Sequence, residues 1–246
     1  MIGRTDVEAA WRLIQPHVRR TPTIELSAGA LGVAAPLALK LESLQLSGSF
    51  KGRGAFHKLL ASKVPAAGII AASGGNHGAA AAFAARALGH KAEIFVPTIA
   101  SPAKVARLKD YGAVVHQVGA VYAEARAASE KRAVETEGTP TLHEARRAGR
   151  PVEVKISGIA ADALGASRIG VPNFEVAQKL VRDSVLVSDD AVRQAQRALW
   201  EELRVIAEPA GATGLAALMA GVYRPAPGER VATLICGANT EPGLVA

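Results

Sequence analysis

The stretch Gly68-Ile69-Ile70-Ala71-Ala72-Ser73-Gly74-Gly75-Asn76-His77-Gly78 decides the fold. A short apolar run of strand character leads straight into a turn of small residues, and an alanine-rich helix follows, ending near Gly89. Glycines at such a turn let backbone N–H groups point inward, and the helix start beyond them attracts a carboxylate or a phosphate. Taken alone, the pair Gly74-Gly75 reads equally well as a tight strand-to-helix connection. Asn76 and His77 add side chains able to hydrogen-bond a ligand.

Outward from this turn the same rhythm repeats. Residues 37–41, 93–96 and 113–118 read as strands. Residues 47–53 read as a small-residue turn opening a helix that runs to about Leu60. Ser101-Pro102 supplies an N-cap and a first-turn proline, and residues 122–135 read as a further helix. At the start, Thr5-Asp6-Val7-Glu8 has capping-box spacing ahead of a helix carrying Trp11, Leu13 and Ile14. Strands alternating with helices predict an α/β fold with a parallel sheet, and ligands of such sheets sit beyond the carboxyl ends of strands. After Thr136 the rhythm breaks, and residues 137–173 hold one poor strand candidate, 152–156. It resumes with a strand at 185–187, a helix capped by Ser188-Asp189-Asp190 and reaching Leu203, and a short extended piece at 205–207. A helix opened by Pro209 and a last strand at 231–236 complete the pattern. No internal repeat is evident.

The chain has 246 residues, enough for one large domain or two smaller ones sharing a cleft. Apolar residues make up 49% and aromatics only 4%, which favours closely packed helices on a sheet over an aromatic-rich sandwich. The single cysteine, Cys236, excludes an internal disulfide and fits a reducing compartment. No basic segment followed by an apolar run stands at the N-terminus, so no signal peptide is expected. The longest apolar run, around residues 79–85, is too short to span a bilayer. The expected address is the cytoplasm, with no membrane partner. The net charge of +7 and pI of about 9.8 come from basic residues scattered singly or in pairs, as at Arg19-Arg20 and Arg146-Arg147. Nucleic-acid binding would want them clustered with aromatics, so none is expected, and the charge favours anionic small molecules.

Three constellations carry chemistry. In Ser49-Phe50-Lys51-Gly52-Arg53-Gly54-Ala55 a lysine stands beside an aromatic at a helix start. A nucleophilic lysine must be partly neutral, which a helix N-terminus and partial burial favour. On local chemistry alone an ordinary surface lysine fits as well. The second constellation is the turn at residues 73–78. The third is Leu234-Ile235-Cys236-Gly237-Ala238-Asn239, a strand running into a glycine-containing turn, where a lone cysteine is more often a small core residue.

Together, Ser49-Phe50-Lys51 with Arg53-Gly54-Ala55, Ser73-x-Gly75-Asn76-His77-Gly78, Glu208-Pro209-Ala210-Gly211-Ala212 and Cys236-Gly237-x-Asn239 resemble the fold-type II pyridoxal-phosphate enzymes of the serine/threonine dehydratase (ammonia-lyase) kind. The resemblance covers most of the chain. It implies a tryptophan-synthase-β-like α/β fold, with two open, twisted, mostly parallel sheets flanked by helices. A small domain is expected at 42–136, and a large one from 1–41 plus 137–246. The cofactor implied is pyridoxal 5'-phosphate, with Lys51 as the Schiff-base lysine and catalytic base. Phe50 would pack against the ring, Asn76 would bond its phenolic oxygen and Cys236 would face the pyridine nitrogen. The substrate carboxylate would lie on Ser73, Gly74, Gly75, Asn76 and His77.

A thiol does not hold the ring nitrogen protonated as a carboxylate would, which favours loss of a β-substituent over a long-lived carbanion. The reaction implied is elimination from L-threonine or L-serine to a 2-oxo acid and ammonia. Alternatives are a β-eliminating or β-replacing enzyme for a bulkier 3-hydroxy amino acid, or a non-catalytic remnant. Racemases of the family carry a serine where this chain has Gly74, so racemisation is disfavoured. Only seven residues follow Asn239, as in the short catabolic forms. Glu208 with Ala212 resembles a cation site of some relatives, but Gly214 stands near where a further acidic ligand is often seen, and a helix-start glutamate is favourable without any metal. No metal is expected. By analogy the partners are an amino-acid substrate and a second copy in a homodimer.

One part of the pattern is missing. The family cradles the cofactor phosphate in consecutive glycines ahead of a helix, and this chain has no such run. It belongs near the 136/137 junction, where about two βαβ-sized units are absent. An internal deletion, or a stretch lost from the written sequence, is preferred to a natural chain with another phosphate site. Thr136 and Glu137 each match the family on their own side.

Overall fold

The computed structural model describes residues 3–96, 100–117, 133–241 and 243. In chain order the first half holds α1 (Arg4–Ile14), β1 (Thr23–Leu26), β2 (Leu37–Lys40), α2 (Lys51–Leu60), β3 (Ile69–Ala72), α3 (Asn76–Ala87), β4 (Ala92–Val96), α4 (Pro102–Asp110) and β5 (Val114–Gln117). The second half holds β6 (Ala133–Thr136), α5 (Thr141–Ala148), α6 (Ala161–Leu164), α7 (Val171–Leu180), β7 (Ser184–Val187), α8 (Asp189–Leu203), α9 (Pro209–Met219) and β8 (Val231–Leu234).

These elements form two compact units. One takes the described residues of 1–21 and 44–122, the other those of 22–43 and 123–246. These units differ from the expected division in three stretches, one of them only Glu42 and Ser43. Residues 4–14, expected in the larger domain, belong to the first unit, because buried Ile14 joins the same core as Phe56 and Leu59 of α2. Residues 133–136, expected in the smaller domain, belong to the second unit, because β6 pairs with β7.

The first unit is a βαβαβ run. Its sheet is parallel, in the order β3-β4-β5. Helix α3 is buried nearly all round, with Ala80, Ala82, Ala84 and Ala85 fully enclosed. Alanine at those positions lets α2 and β4 approach closely, and Phe56, Ile94, Val96 and Leu108 fill the remaining space. The β3-to-α3 turn is held by close backbone packing. Gly78 lies so close to Ser73 that any Cβ would collide with the Ser73 carbonyl oxygen. Gly74, in the same turn, has room: a Cβ there would sit 3.6 Å from Val96 and 3.7 Å from Ala100.

The second unit contains two sheets among the described residues. One has the order β1-β2-β8, antiparallel then parallel, and the other is the parallel pair β6-β7. Helix α9 packs on β6, β7 and β8, and α8 packs on α9. Leu39, Val192, Leu199, Leu215 and Ile235 are fully enclosed in this core. A smaller cluster joins α5 to α7 through Leu142, Ala145, Phe174 and Ala177. Gly211 of α9 lies against the turn after β8, where a Cβ would come within 2.6 Å of the Gly237 carbonyl oxygen.

Several expected elements differ. The helix expected at 122–135 lies outside the described residues except at its end, and there Ala133–Glu135 is strand. Glu135 turns its carboxylate to the start of α5, accepting from Leu142 N at 2.9 Å and His143 N at 2.8 Å. Residues 152–156 form no strand, and Val118 of the strand expected at 113–118 is outside the described residues. The first helix is capped two residues early: Gly3 N donates to Asp6 Oδ2 at 2.7 Å, while Glu8 pairs with Arg4. Ser188 caps α8 as expected, accepting from Ala191 N at 3.2 Å. No helix among the described residues is long and apolar enough to cross a membrane.

One tryptophan lies in each unit, Trp11 and Trp200, so each unit has its own fluorescence probe. Leu215→Ala, in a Trp11→Phe background, should lower the stability reported by Trp200 by about 2–5 kcal/mol in urea unfolding. In the first unit, Gly78→Ala should cost about 2–5 kcal/mol, because backbone must move. Gly74→Ser should stay within about 1 kcal/mol of the parent. Equal losses for the two glycine variants would contradict the turn geometry.

Candidate active site

Phe50 and Lys51 stand at the N-terminal end of α2, held there by the turn before them. Gln45 is buried, and its side chain is bound to both backbone groups of Arg19, accepting from Arg19 N at 2.8 Å and donating to Arg19 O at 2.9 Å. Arg107 of α4 donates to Ser47 O at 3.0 Å. Ser47 takes a positive φ of 66°, which folds the chain back so that Gly52 abuts Leu46 O. Lys51 Nζ lies 4.8 Å from the centroid of the Phe50 ring, within range of a cation–π contact.

Residues 73–77 lie beyond the carboxyl end of β3. Ser73 is buried and its N–H donates to Phe95 O at 3.0 Å, which anchors the loop to β4. Asn76 and His77 open α3, where the first N–H groups have no acceptor within the helix. His77 keeps part of its surface in solvent. Packing around its ring lowers its pKa below the ordinary 6.5, and the Lys51 charge adds to that. Lys51 and the Ser73–His77 loop are thus electrostatic neighbours, although α2 and β3 separate them in sequence.

The second unit holds the remaining expected residues. Cys236 is half-buried in the turn that continues β8. Glu208 is buried at the N-cap of α9, and its N–H donates to Gly237 O at 3.0 Å. Its carboxylate lies directly against Gly237, where only a glycine leaves room for it. Ala212 is fully enclosed. Among the described residues no three His, Cys, Asp or Glu side chains converge as a metal site requires.

A further cluster has no counterpart in the sequence reading. The loop Ser157-Gly158-Ile159 runs past the ends of β6 and β7, with Ser157 N donating to Gly138 O at 2.8 Å. Ile159 N donates to Asp189 Oδ2 at 3.1 Å, and Gly158 lies so close to that carboxylate that a Cβ would come within 2.7 Å. From the sequence, Asp189 reads only as part of a helix cap. The isolated glycines Gly138 and Gly158 are the available signal, because each lies where a neighbour leaves no room for a Cβ, the Ser157 carbonyl at Gly138 and the Asp189 carboxylate at Gly158. An open groove of about 540 Å³ lies elsewhere in this unit, lined by residues that include His143, Arg146, Arg147, Arg182 and Tyr223. It contains none of the expected site residues. Two of its arginines are engaged: Arg146 donates to the carbonyls of Val181 and Arg182, and Arg147 to Glu144.

Pyridoxal phosphate fits these residues at one end only. An amine beside an aromatic ring and a helix-start loop suit its aldehyde, ring and the substrate carboxylate. For the phosphate, the chain has a single pair of adjacent glycines, Gly74-Gly75, and that pair stands in the turn expected to take the substrate carboxylate.

The profile of the family described as "Pyridoxal-phosphate dependent enzyme" matches in two stretches, residues 14–133 and 132–237. The break falls at 132–133, just ahead of β6 and four residues before the expected junction. Phenylserine dehydratase of Ralstonia pickettii is 30% identical over 95% of this chain and 92% of its own length. L-threonine ammonia-lyase of Thermotoga maritima is 27% identical over the whole chain and 77% of its own length. That second alignment spans 312 positions against 246 residues, so about 66 of them have no counterpart here. Among solved structures, a threonine deaminase from T.th. superposes with a TM-score of 0.85 at 26% identity, covering 98% of this chain and 99% of that one. Maize serine racemase gives the same TM-score at 24% identity, which speaks to the fold alone. Through a family profile matched on both sides of one internal break, and a dehydratase at 30% identity, this chain belongs to the pyridoxal-phosphate dependent enzyme family, in its fold-type II, serine/threonine-dehydratase branch.

Proposed function

We propose that the chain's chemistry is the dehydration of a 3-hydroxy amino acid, L-threonine or L-serine, to a 2-oxo acid and ammonia. The observation that carries this reading is that Lys51, at the start of α2, lies near enough to His77, at the end of the Ser73–His77 loop, for its charge to help lower the His77 pKa. The Cα–H and Cβ–O bonds of the substrate break. The water lost is taken up again when the enamine product hydrolyses, and ammonia leaves.

Pyridoxal phosphate, when bound, supplies the electron sink for the pair released at Cα. The chain's own residues do the rest. The N–H groups at the start of α3 take the substrate carboxylate, where the helix dipole favours an anion. That fixes Cα with respect to Lys51, whose amine is the general base for the Cα proton. Phe50 excludes water from one side of the amine. His77, with its lowered pKa, stays neutral at pH 7, so it adds no second cation beside Lys51 and donates or accepts a hydrogen bond at the carboxylate. Cys236 and Asn76 are assigned to the pyridine nitrogen and the phenolic oxygen by their places in the family pattern.

A second reading has one specific observation in its favour: the relative at 30% identity acts on phenylserine. The bulkier substrate is therefore an alternative within the same chemistry.

The product assay separates the readings. Incubation with pyridoxal phosphate and L-threonine should give 2-oxobutyrate, L-serine should give pyruvate, and Lys51→Ala should give neither. Turnover of phenylserine alone would favour the second reading. Product from Lys51→Ala at the parent rate would remove Lys51 from the mechanism.

His77 also makes a pH prediction. Its folded pKa is lowered, so the stability it contributes is present above the unfolded value of 6.5 and is lost as pH falls through the folded pKa. The stability of the first unit, followed by Trp11 in a Trp200→Phe background, should weaken as pH falls below the unfolded value of 6.5. His77→Gln should weaken less over that range. Parallel declines would show that His77 carries no such linkage.

A further inference from the structure

We infer that this chain grips the ring and aldehyde of its cofactor but not the phosphate, and so does not distinguish pyridoxal 5'-phosphate from the same aldehyde without its phosphate arm. The inference rests on the proposed role of Lys51.

A phosphate dianion is held by several converging backbone N–H groups, usually at a helix start opened by glycines. The second unit has four helices of eight or more residues among those described; at three of them the chain's own carboxylates stand at the start, and the fourth lacks a donor and a basic residue. At α5, the N–H groups of Leu142 and His143 are taken by the Glu135 carboxylate. At α8, the Ser188 hydroxyl takes Ala191 N, and Asp189 and Asp190 place two carboxylates in the first turn. At α9, the buried Glu208 precedes Pro209, which has no N–H. At α7, Pro172 removes a donor from the first turn, and no lysine or arginine stands there. A dianion brought to α5, α8 or α9 would meet a carboxylate of the chain itself.

The first unit offers no replacement among the described residues. The start of α3 is the carboxylate loop. At α4, Pro102 lacks an N–H, and those of Lys104 and Val105 turn back to Ser101 O. At α2, Gly52 N and Arg53 N turn back in the same way to Ser49 O and Phe50 O. At α1, the Asp6 carboxylate already sits at the Gly3 N–H. In the groove of the second unit Arg146, Arg147 and Arg182 are engaged by the carbonyls of Val181 and Arg182 and by the carboxylates of Glu144 and Asp183, so what remains for the phosphate among the described residues is the diffuse attraction of a net charge of +7, which salt screens.

The experiment compares pyridoxal 5'-phosphate with 5'-deoxypyridoxal, which carries a methyl group in place of the phosphate arm and cannot close a hemiacetal. Protein verified at an intact mass of 25.4 kDa is titrated with each aldehyde at about 0.15 M salt. The Schiff-base absorbance gives the affinity, borohydride reduction and peptide mapping give the site, and Lys51→Arg serves as the blank. The expected result is adduct at Lys51 with both aldehydes and dissociation constants within ten-fold of each other. A preference of ten-fold or more for the phosphate form overturns the inference while leaving the dehydratase reading intact. Failure of both aldehydes to label Lys51 above the other lysines overturns the inference and the reading beneath it.

Discussion

In both units a helix is drawn down onto the carboxyl end of a strand until backbone meets backbone. At the end of β3 the contact is Gly78 on the Ser73 carbonyl, and in the turn beyond β8 it is Gly211 on the Gly237 carbonyl. Neither position leaves room for a side chain, and both lie where an open α/β sheet offers its ligand sites. The first contact folds Ser73–His77 into a loop whose N–H groups lead the helix. The second brings Glu208 against Gly237, beside Cys236.

Signals that are local in sequence are legible. The β3–α3 turn announces itself through an apolar run, two adjacent glycines and a stretch of alanines, and those residues form the element they suggest. Ser188 and Pro209 open helices for equally local reasons. Lys51 is different. Its immediate chemistry does not set it apart from a surface lysine, and only the combination with the other motifs singles it out. Its electrostatic coupling to His77 depends on how α2 packs beside α3, which no spacing encodes.

Expectation fails where tertiary pairing overrides local preference. Residues 133–135 follow an alanine- and glutamate-rich stretch, yet they join β7 in a parallel pair, and Glu135 is drawn to the N-terminus of α5. Burial there raises the Glu135 pKa, against the pull of the N–H groups of Leu142 and His143 that favour its charged form. Conversely, Val152, Val154 and Ile156 alternate as a strand should, but no strand among the described residues lies alongside them. Val154 N finds its acceptor in Ser167 of a neighbouring loop instead. Alternation is a condition for a half-buried strand, not a cause of one.

The same dependence on neighbours explains why the internal break weighs more on one unit than on the other. The family match breaks at 132–133, and β6 begins at Ala133. Every strand of the β3-β4-β5 sheet, the Lys51 turn and the Ser73–His77 loop lie upstream of it. Downstream, α9 packs on β6, β7 and β8, yet among the described residues β6 and β8 belong to separate sheets. Parallel strands are ordinarily flanked and covered, because an open edge leaves backbone N–H and C=O groups without partners. The family match breaks just ahead of such a strand. A break at that point leaves the surroundings of the lysine whole, because α2, β3, β4 and β5 all lie upstream of it.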